Sequence, residues 1–306
     1  MAISFNKICI IGLGLIGGSI GLAIKRAGIS NQIIGHARSR STLEVALSRG
    51  LVDRVESEAR DAVRSADLVI LATPLSIFKP IVEEIGPFLK NGCILTDTGS
   101  AKLRVIDELK DIIPKNIEFI PSHPIAGTEQ SGPDAGFAEL FDNRWCIITP
   151  TKDNTDKNIN LIRTFWESLG SMVECMDALH HDKVLAITSH IPHLIAYNIV
   201  GTANNLANVT SSEVVKYSAG GFRDFTRIAA SDPKMWSDIF TYNSEAVLEM
   251  LELFSSDLSR LKDAISKKDS NLLFSNFEKT RAVRKEIIDA GQAEGSIALV
   301  EKKSQD

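Results

Sequence analysis

Residues Ser122 to Glu129 read Ser-His-Pro-Ile-Ala-Gly-Thr-Glu and follow an apolar run, Ile117 to Pro121, that resembles a buried strand. Pro121 and Pro124 bracket His123 and disfavour helix on both sides, so the imidazole is expected in a stiff extended turn. A neutral imidazole there can accept a proton from a hydroxyl, with a pKa expected within about a unit of ~6.5. Glu129, beyond Gly127, leaves a carboxylate nearby. Taken alone, these residues equally allow a histidine that caps a loop and does no chemistry. Further along the chain, His180, His181, His190 and His193 cluster in one apolar stretch. His190 and His193 are three residues apart and share a helix face, with Pro192 interrupting the ladder between them. No cysteine or carboxylate stands beside them at ligand spacing, so a polar cleft for an anion is favoured over a metal site.

A second set of residues points to a phosphate-bearing ligand. Gly12-Leu13-Gly14-Leu15-Ile16-Gly17 follows a strand expected over Lys7 to Ile11 and opens an amphipathic helix that ends at Gly28. In that context the first glycine makes the turn, the second admits a pyrophosphate to the backbone and the third lets helix pack on strand. The free N–H groups of the helix N-terminus then hold the phosphates. The next strand, Gln32 to His36, is expected to end where an NAD enzyme carries Asp or Glu for the ribose hydroxyls. Here Ala37 is followed by Arg38-Ser39-Arg40-Ser41. Two guanidiniums and two hydroxyls suit a 2′-phosphate, so NADP is the favoured nucleotide and NAD the alternative.

The elements that must position these groups recur at the spacing of βαβ units. Asp67 to Ala72 ends in Thr73-Pro74, Cys93 to Thr96 ends in Asp97-Thr98-Gly99-Ser100-Ala101-Lys102, and Ile117 to Pro121 ends at His123. Helical stretches Ser76 to Leu89 and Lys102 to Ile113 lie between them. Parallel strands with right-handed crossovers would gather the glycine loop, Thr73, Ser100 and His123 along one edge of a single sheet. Strand-like runs at Trp145 to Thr149 and Met172 to Cys175 flank a helical stretch, Asn158 to Leu169. From about Asp177 the chain reads as helix: Leu179 to Leu206, Lys234 to Ile265 and Asn271 to Ala290, with one glycine-rich loop, Ser218 to Arg227. The fold class is therefore an α/β Rossmann-type nucleotide-binding domain, residues 1–176, followed by an all-α helical domain, residues 177–306. Apolar faces around Ile191, Leu194 and Ile195 and around Val247, Leu248, Met250 and Leu251 exceed what a small domain can bury, which implies a homodimer.

Composition narrows the function classes. The 306 residues suffice for about two domains, and 44% hydrophobic with 24% charged residues is the balance of a soluble globular protein. Net charge is -5 and no dense basic run occurs, which argues against a nucleic-acid partner. Cys9, Cys93, Cys146 and Cys175 stand singly, as reduced thiols do in a cytoplasmic protein. The uncharged stretch Ile8 to Ile24 is too rich in glycine for a membrane helix, and Lys25-Arg26 follow it where a targeting segment would carry them in front. No membrane partner is expected.

Several of these segments together resemble the prephenate/arogenate (cyclohexadienyl) dehydrogenases of tyrosine biosynthesis. They are Gly12 to Ser19, Asp97 to Lys102, His123 to Glu129, Ser189-His190-Ile191-Pro192-His193 and Gly220 to Ala229. The resemblance covers nearly the whole chain and implies a cleft between a nucleotide-binding domain and a helical dimerisation domain. It implies that His123 accepts the proton of the ring hydroxyl and that Ser100 orients that hydroxyl. It further implies that Arg227 holds a substrate carboxylate, that His181, Ser189 and His193 line the pocket and that Glu129 shapes or gates it. Gly220 would approach from the second subunit. Gly12, Gly14, Leu15, Ile16, Gly17, Arg38, Ser39, Arg40, Thr73 and Pro74 would surround the nucleotide. His193, where an acid would better suit the ammonium of arogenate, leans toward prephenate. Two other readings compete: a dehydrogenase of the 3-hydroxyisobutyrate or phosphogluconate type, and a non-catalytic NADPH-sensing dimer.

Overall fold

A computed structural model describes residues 3–205 and 220–289. The chain divides into two compact units, residues 1–250 and 251–306. The first is built on a six-stranded parallel sheet of β1 (Phe5–Ile11), β2 (Ser30–His36), β3 (Arg54–Glu56), β4 (Leu68–Leu71), β5 (Ile94–Asp97) and β6 (Glu118–Ile120). Its order, β3-β2-β1-β4-β5-β6, reverses direction between β1 and β4, the switch point at which doubly wound sheets bind ligands. The central strands β1, β4 and β5 carry apolar runs of Ile, Val and Leu without alternation because helices cover both faces. One face is covered by α1 (Leu15–Ala27) and α2 (Arg40–Ser48), the other by α3 (Ala59–Ala62), α4 (Phe78–Ile85) and α5 (Leu103–Leu109). Gly28 ends α1 in the left-handed conformation, and Gly21 lets α1 approach the backbone of Leu51, where a Cβ would lie 2.0 Å from the carbonyl oxygen.

The uncharged stretch Ile8 to Ile24 is thus a core strand, a turn and a packed helix. The run Arg38-Ser39-Arg40-Ser41 that follows β2 passes directly into a helix. Ser39 is the N-cap of α2 and Arg40 its first helical residue, since Leu43 and Ala46 give the following stretch a buried face.

His123 is not in a turn, and it does not lie at the end of a strand of the main sheet. After β6 the chain enters a second sheet, β7 (Ser122–Pro124), β8 (Trp145–Ile148) and β9 (Met172–Cys175), ordered β7-β8-β9. β7 runs antiparallel to β8 with His123 opposite Ile147, so the histidine is clamped in a ladder. Pro121 extends this pairing by one residue, its carbonyl accepting from the Thr149 amide at 3.0 Å. Between β8 and β9 lies α6 (Asp156–Ser168), capped by the Thr155 side chain.

The helical half begins with α7 (Ala178–Leu185), whose N-cap Asp177 accepts from the amides of Leu179 and His180. A π-helical turn, Ala186–His190, joins it to α8 (Ile191–Asn204). Pro192 has no amide to donate and would clash with the carbonyl four residues back, and the wider turn relieves both. The run Ala178–Asn204 is long and apolar enough by length and composition to cross a membrane. However, its inner face carries buried His181, Asp182 and His190, which bond to the first unit's own residues. Leu206, Ser218, Ala219 and Ala290 fall outside the described residues. From Gly220 the expected loop is instead helical: α9 (Gly220–Thr226) and a 3₁₀ turn, Arg227–Ala230. Lys234 to Ile265 is two helices, α10 (Pro233–Tyr242) and α11 (Ser244–Ser266), separated by Asn243.

The helices up to Met250 belong to the same compact unit as the sheet. Ser76, in the turn after β4, donates to buried Asp238 of α10 from both its hydroxyl and its amide. The second unit contains the rest of α11 and α12 (Ser270–Ile287). It leaves large apolar side chains in solvent, among them Ile265 at 64% and Phe274 at 68% exposure.

Candidate active site

The glycine loop fits a dinucleotide at each of its three positions. Gly12 has φ of 99°, and a Cβ there would lie 2.4 Å from the Ala72 carbonyl oxygen. A Cβ at Gly17 would lie 1.9 Å from the Gly12 oxygen, so only glycine lets α1 pack on β1. At Gly14 a Cβ would meet nothing within 4 Å. That open side is where a pyrophosphate can reach the backbone, with Leu15 and Ile16 forming the first turn of α1. Thr73 lies against Gly12, and Pro74 starts the next turn.

At the end of β2, His36 Nδ1 bonds the Glu56 carbonyl at 3.0 Å, and no acidic side chain occupies position 37. A pocket of about 440 Å³ opens beyond it, lined by Ala37, Arg38, Arg40, Leu43, Val55 and Ser57 among others. Arg40 is 92% exposed and meets Glu44 at 3.0 Å, while the Ser39 hydroxyl bonds that of Ser41.

The segment Asp97 to Lys102 ties the main sheet to the second one. Asp97 accepts from the Gly99 amide at 2.8 Å and the Ser122 amide at 3.1 Å, and pairs with the Lys102 ammonium. Lys102 also donates to the Ser122 carbonyl at 2.8 Å. Both charged side chains are fully buried. They fix β7 next to β5 and thereby fix His123.

His123 is 7% exposed, and its Nδ1 lies 2.9 Å from His181 Nε2. His181 Nδ1 in turn lies 2.8 Å from Asp182, which also accepts from the amides of Lys102 and Leu103. Burial, then the neighbouring His181 and Lys102, hold the His123 pKa well below its ordinary value. The expectation of a near-reference pKa is therefore corrected downward, and burial favours the neutral imidazole at His123. Burial also lowers His181 and His193, and brings His190 to about 4.

The remaining expected residues are placed as follows. Arg227 donates to Glu129 at 2.9 Å, so the two are partners. His193 stacks on Trp236 with ring centroids 3.7 Å apart and bonds the Ser189 carbonyl at 2.9 Å. Ser189 lies in the π turn and Gly220 opens α9. Ser100 is half-buried between Gly99 and Lys102, and among the described residues its hydroxyl is not bonded to His123. Sequence reasoning gave no role to Asp97, Lys102, Asp182 or Asn243. Asn243 donates to the Asp182 carbonyl and to His190 Nδ1. Asp182 could have been suspected from its position beside His181, whereas Asn243 has no sequence signal. Among the described residues no group of three His, Cys, Asp or Glu side chains could hold a metal.

A dinucleotide cradle at the switch point, with a buried histidine held on β7 of the second sheet, suits an NAD(P)-dependent dehydrogenase. Residues 20–175 match the family model of the prephenate dehydrogenase nucleotide-binding domain, and 177–279 that of the prephenate dehydrogenase dimerization domain. A cyclohexadienyl dehydrogenase of Zymomonas mobilis is 41% identical over 92% of this chain and 95% of its own length. A prephenate dehydrogenase of Bacillus subtilis is 32% identical over 91% of this chain and 75% of its length. The crystal structure of prephenate dehydrogenase from A. aeolicus, in complex with hydroxyphenyl propionate and NAD+, is 33% identical with a TM-score of 0.87, covering 94% of this chain and 100% of that one. The chain belongs to the prephenate dehydrogenase family.

Proposed function

We propose that the chain oxidatively decarboxylates prephenate to 4-hydroxyphenylpyruvate in tyrosine biosynthesis, with NADP the favoured acceptor and NAD the alternative. The observation that carries this reading is His123, buried, neutral and clamped on β7 through the Asp97–Lys102 pair. Family membership disfavours the hydroxyisobutyrate-type reading. Arogenate, oxidised to tyrosine, is the second substrate, favoured by the cyclohexadienyl dehydrogenase named among the relatives.

When bound, the nicotinamide supplies the acceptor for the hydride that leaves ring C4. His123 takes the proton of the C4 hydroxyl as C4 is oxidised, the electrons of the broken C1–carboxylate bond make the ring aromatic as CO2 departs, and the proton returns to the C4 oxygen to leave the phenol. Ser100, at the end of the β5 loop, orients that hydroxyl. Arg227 leaves Glu129 to hold a substrate carboxylate, and Ser189 and His193 line the pocket. Gly220 completes it from the second subunit. Gly12, Gly14, Leu15, Ile16, Gly17, Thr73 and Pro74 cradle the nucleotide, and Arg38, Ser39 and Arg40 select its 2′-phosphate.

The assembly is a cytoplasmic homodimer through the helical half, supported by the dimerization-domain match and by the exposed apolar faces of α11 and α12. The division after residue 176 is supported by the junction of the two family matches. A spectrophotometric assay crossing prephenate and arogenate with NADP+ and NAD+ tests the reading. The expected result is turnover greatest with prephenate and NADP+. Nucleotide binding without turnover of either substrate would overturn it in favour of the sensing reading.

A further inference from the structure

Behind His123 lie two side chains in line, His181 and Asp182, that the proton-transfer step alone does not require. Asp182 is buried, and its carboxylate accepts from two backbone amides, those of Lys102 and Leu103 at 2.9 and 3.0 Å. An ionised carboxylate can only accept, so at 2.8 Å His181 Nδ1 must carry its hydrogen. His181 is fully buried, and burial lowers its pKa, so it is neutral and its Nε2 is bare. The bare nitrogen lies 2.9 Å from His123 Nδ1, which must then donate. That leaves a lone pair on His123 Nε2. Reversing any member of the line would set two hydrogens, or two lone pairs, against each other in a dry site.

We infer that Asp182 and His181 are positioning residues which set the tautomer of His123, so that Nε2, the nitrogen facing away from His181, is the one that accepts the substrate proton. His181 then supports the base and does not itself touch the ligand. When His123 becomes an imidazolium, its Nδ1–H is already aimed at His181 Nε2. His181 in turn donates to the Asp182 charge, and no further proton moves. The logic is that of a triad lengthened by one imidazole. Asn243 holds the far side, donating to the Asp182 carbonyl at 2.8 Å. The inference rests on His123 being the base of the proposed reaction.

Long-range proton–nitrogen NMR of imidazole-labelled full-length protein with NADP+ bound, assigned with His123→Asn, tests it. The expected spectrum shows His123 protonated at Nδ1 and bare at Nε2, and the opposite tautomer would overturn the inference. In kinetics, Asp182→Asn should lower kcat by roughly 10²-fold, less than the ~10⁴ lost when a carboxylate touching the base directly is neutralised, with KM within about threefold. Asp182 also caps α5, so a second pair guards against misfolding. His181→Gln offers an oxygen to His123 Nδ1 and should keep at least about ten times the kcat of His181→Leu, a factor of ~1.4 kcal/mol. Equal activity of the two would contradict the inference. If the parent protein turned over neither substrate, the functional reading would fail, while the NMR result would still decide the tautomer.

Discussion

Replacing Lys102 by Met removes one half of a fully buried ion pair while keeping an unbranched side chain of similar reach. In the parent, the ammonium pairs with Asp97 and donates to the Ser122 carbonyl at 2.8 Å. Without it, Asp97 would stay buried, compensated only by the amides of Gly99 and Ser122. Breaking a buried pair from one side costs about 3–5 kcal/mol, because an uncompensated charge remains. A domain of this size shifts its melting temperature by roughly 2–4 °C per kcal/mol, so Lys102→Met should melt about 6–20 °C lower. Adding Asp97→Asn to that variant removes the stranded charge but keeps an oxygen for the two amides, and should recover part of the loss. Circular dichroism melts of parent, single and double variants at one protein concentration decide the matter. A single variant melting within about 2 °C of the parent, or a double variant less stable than the single, would refute the reasoning.

Three further outcomes are expected. Arg38→Ala with Arg40→Ala should weaken NADP binding by about 1.5–3 kcal/mol per charge-assisted bond lost while sparing NAD, and calorimetric titration showing equal losses for both would remove those residues from the 2′-phosphate site. Arg227→Ala should raise the KM for prephenate at least about tenfold, or ~1.4 kcal/mol, with nucleotide affinity unchanged, and an unaltered KM would move the clamp elsewhere. Burial holds folded His190 at about 4 against ~6.5 unfolded, so its contribution is complete above pH 6.5 and is lost as pH falls toward 4. At ~1.4 kcal/mol per pH unit this one group takes about 3 kcal/mol with it, and a urea midpoint unchanged between pH 7 and 5 would contradict the assignment.

Much of the framework was legible because local rules and tertiary packing agree. The glycine spacing gave the β1–α1 turn, and apolar runs ending in Thr73-Pro74 and Asp97 gave the parallel strands. What escaped depends on contacts between distant segments. The switch of β7 to a second sheet follows from its pairing with β8, which no local pattern around His123 announces. The short strand β3 has only three residues, too few for periodicity to show. The glycines before Arg227 read as a loop, yet a helix forms there against α8. Within the site, residue types pointed to His123, and the family resemblance to Arg227 and Glu129, whose pairing with each other neither announced. The buried support of Lys102, Asp182 and Asn243 became visible only once Ser122, His181 and His190 stood beside them.

The central claim is that His123 takes the proton of the ring hydroxyl. Steady-state kinetics of His123→Asn across pH, with nucleotide and substrate affinities measured alongside, test it most directly. A positioned base is worth roughly 10²–10⁴-fold, so kcat should fall by that factor while both ligands still bind. The parent's acid limb in kcat/KM should lie below pH 6.5, because burial lowers the His123 pKa, and it should vanish in the variant. A variant with near-parental kcat and the same acid limb would contradict the account and shift the search for the base to His181, His190 and His193.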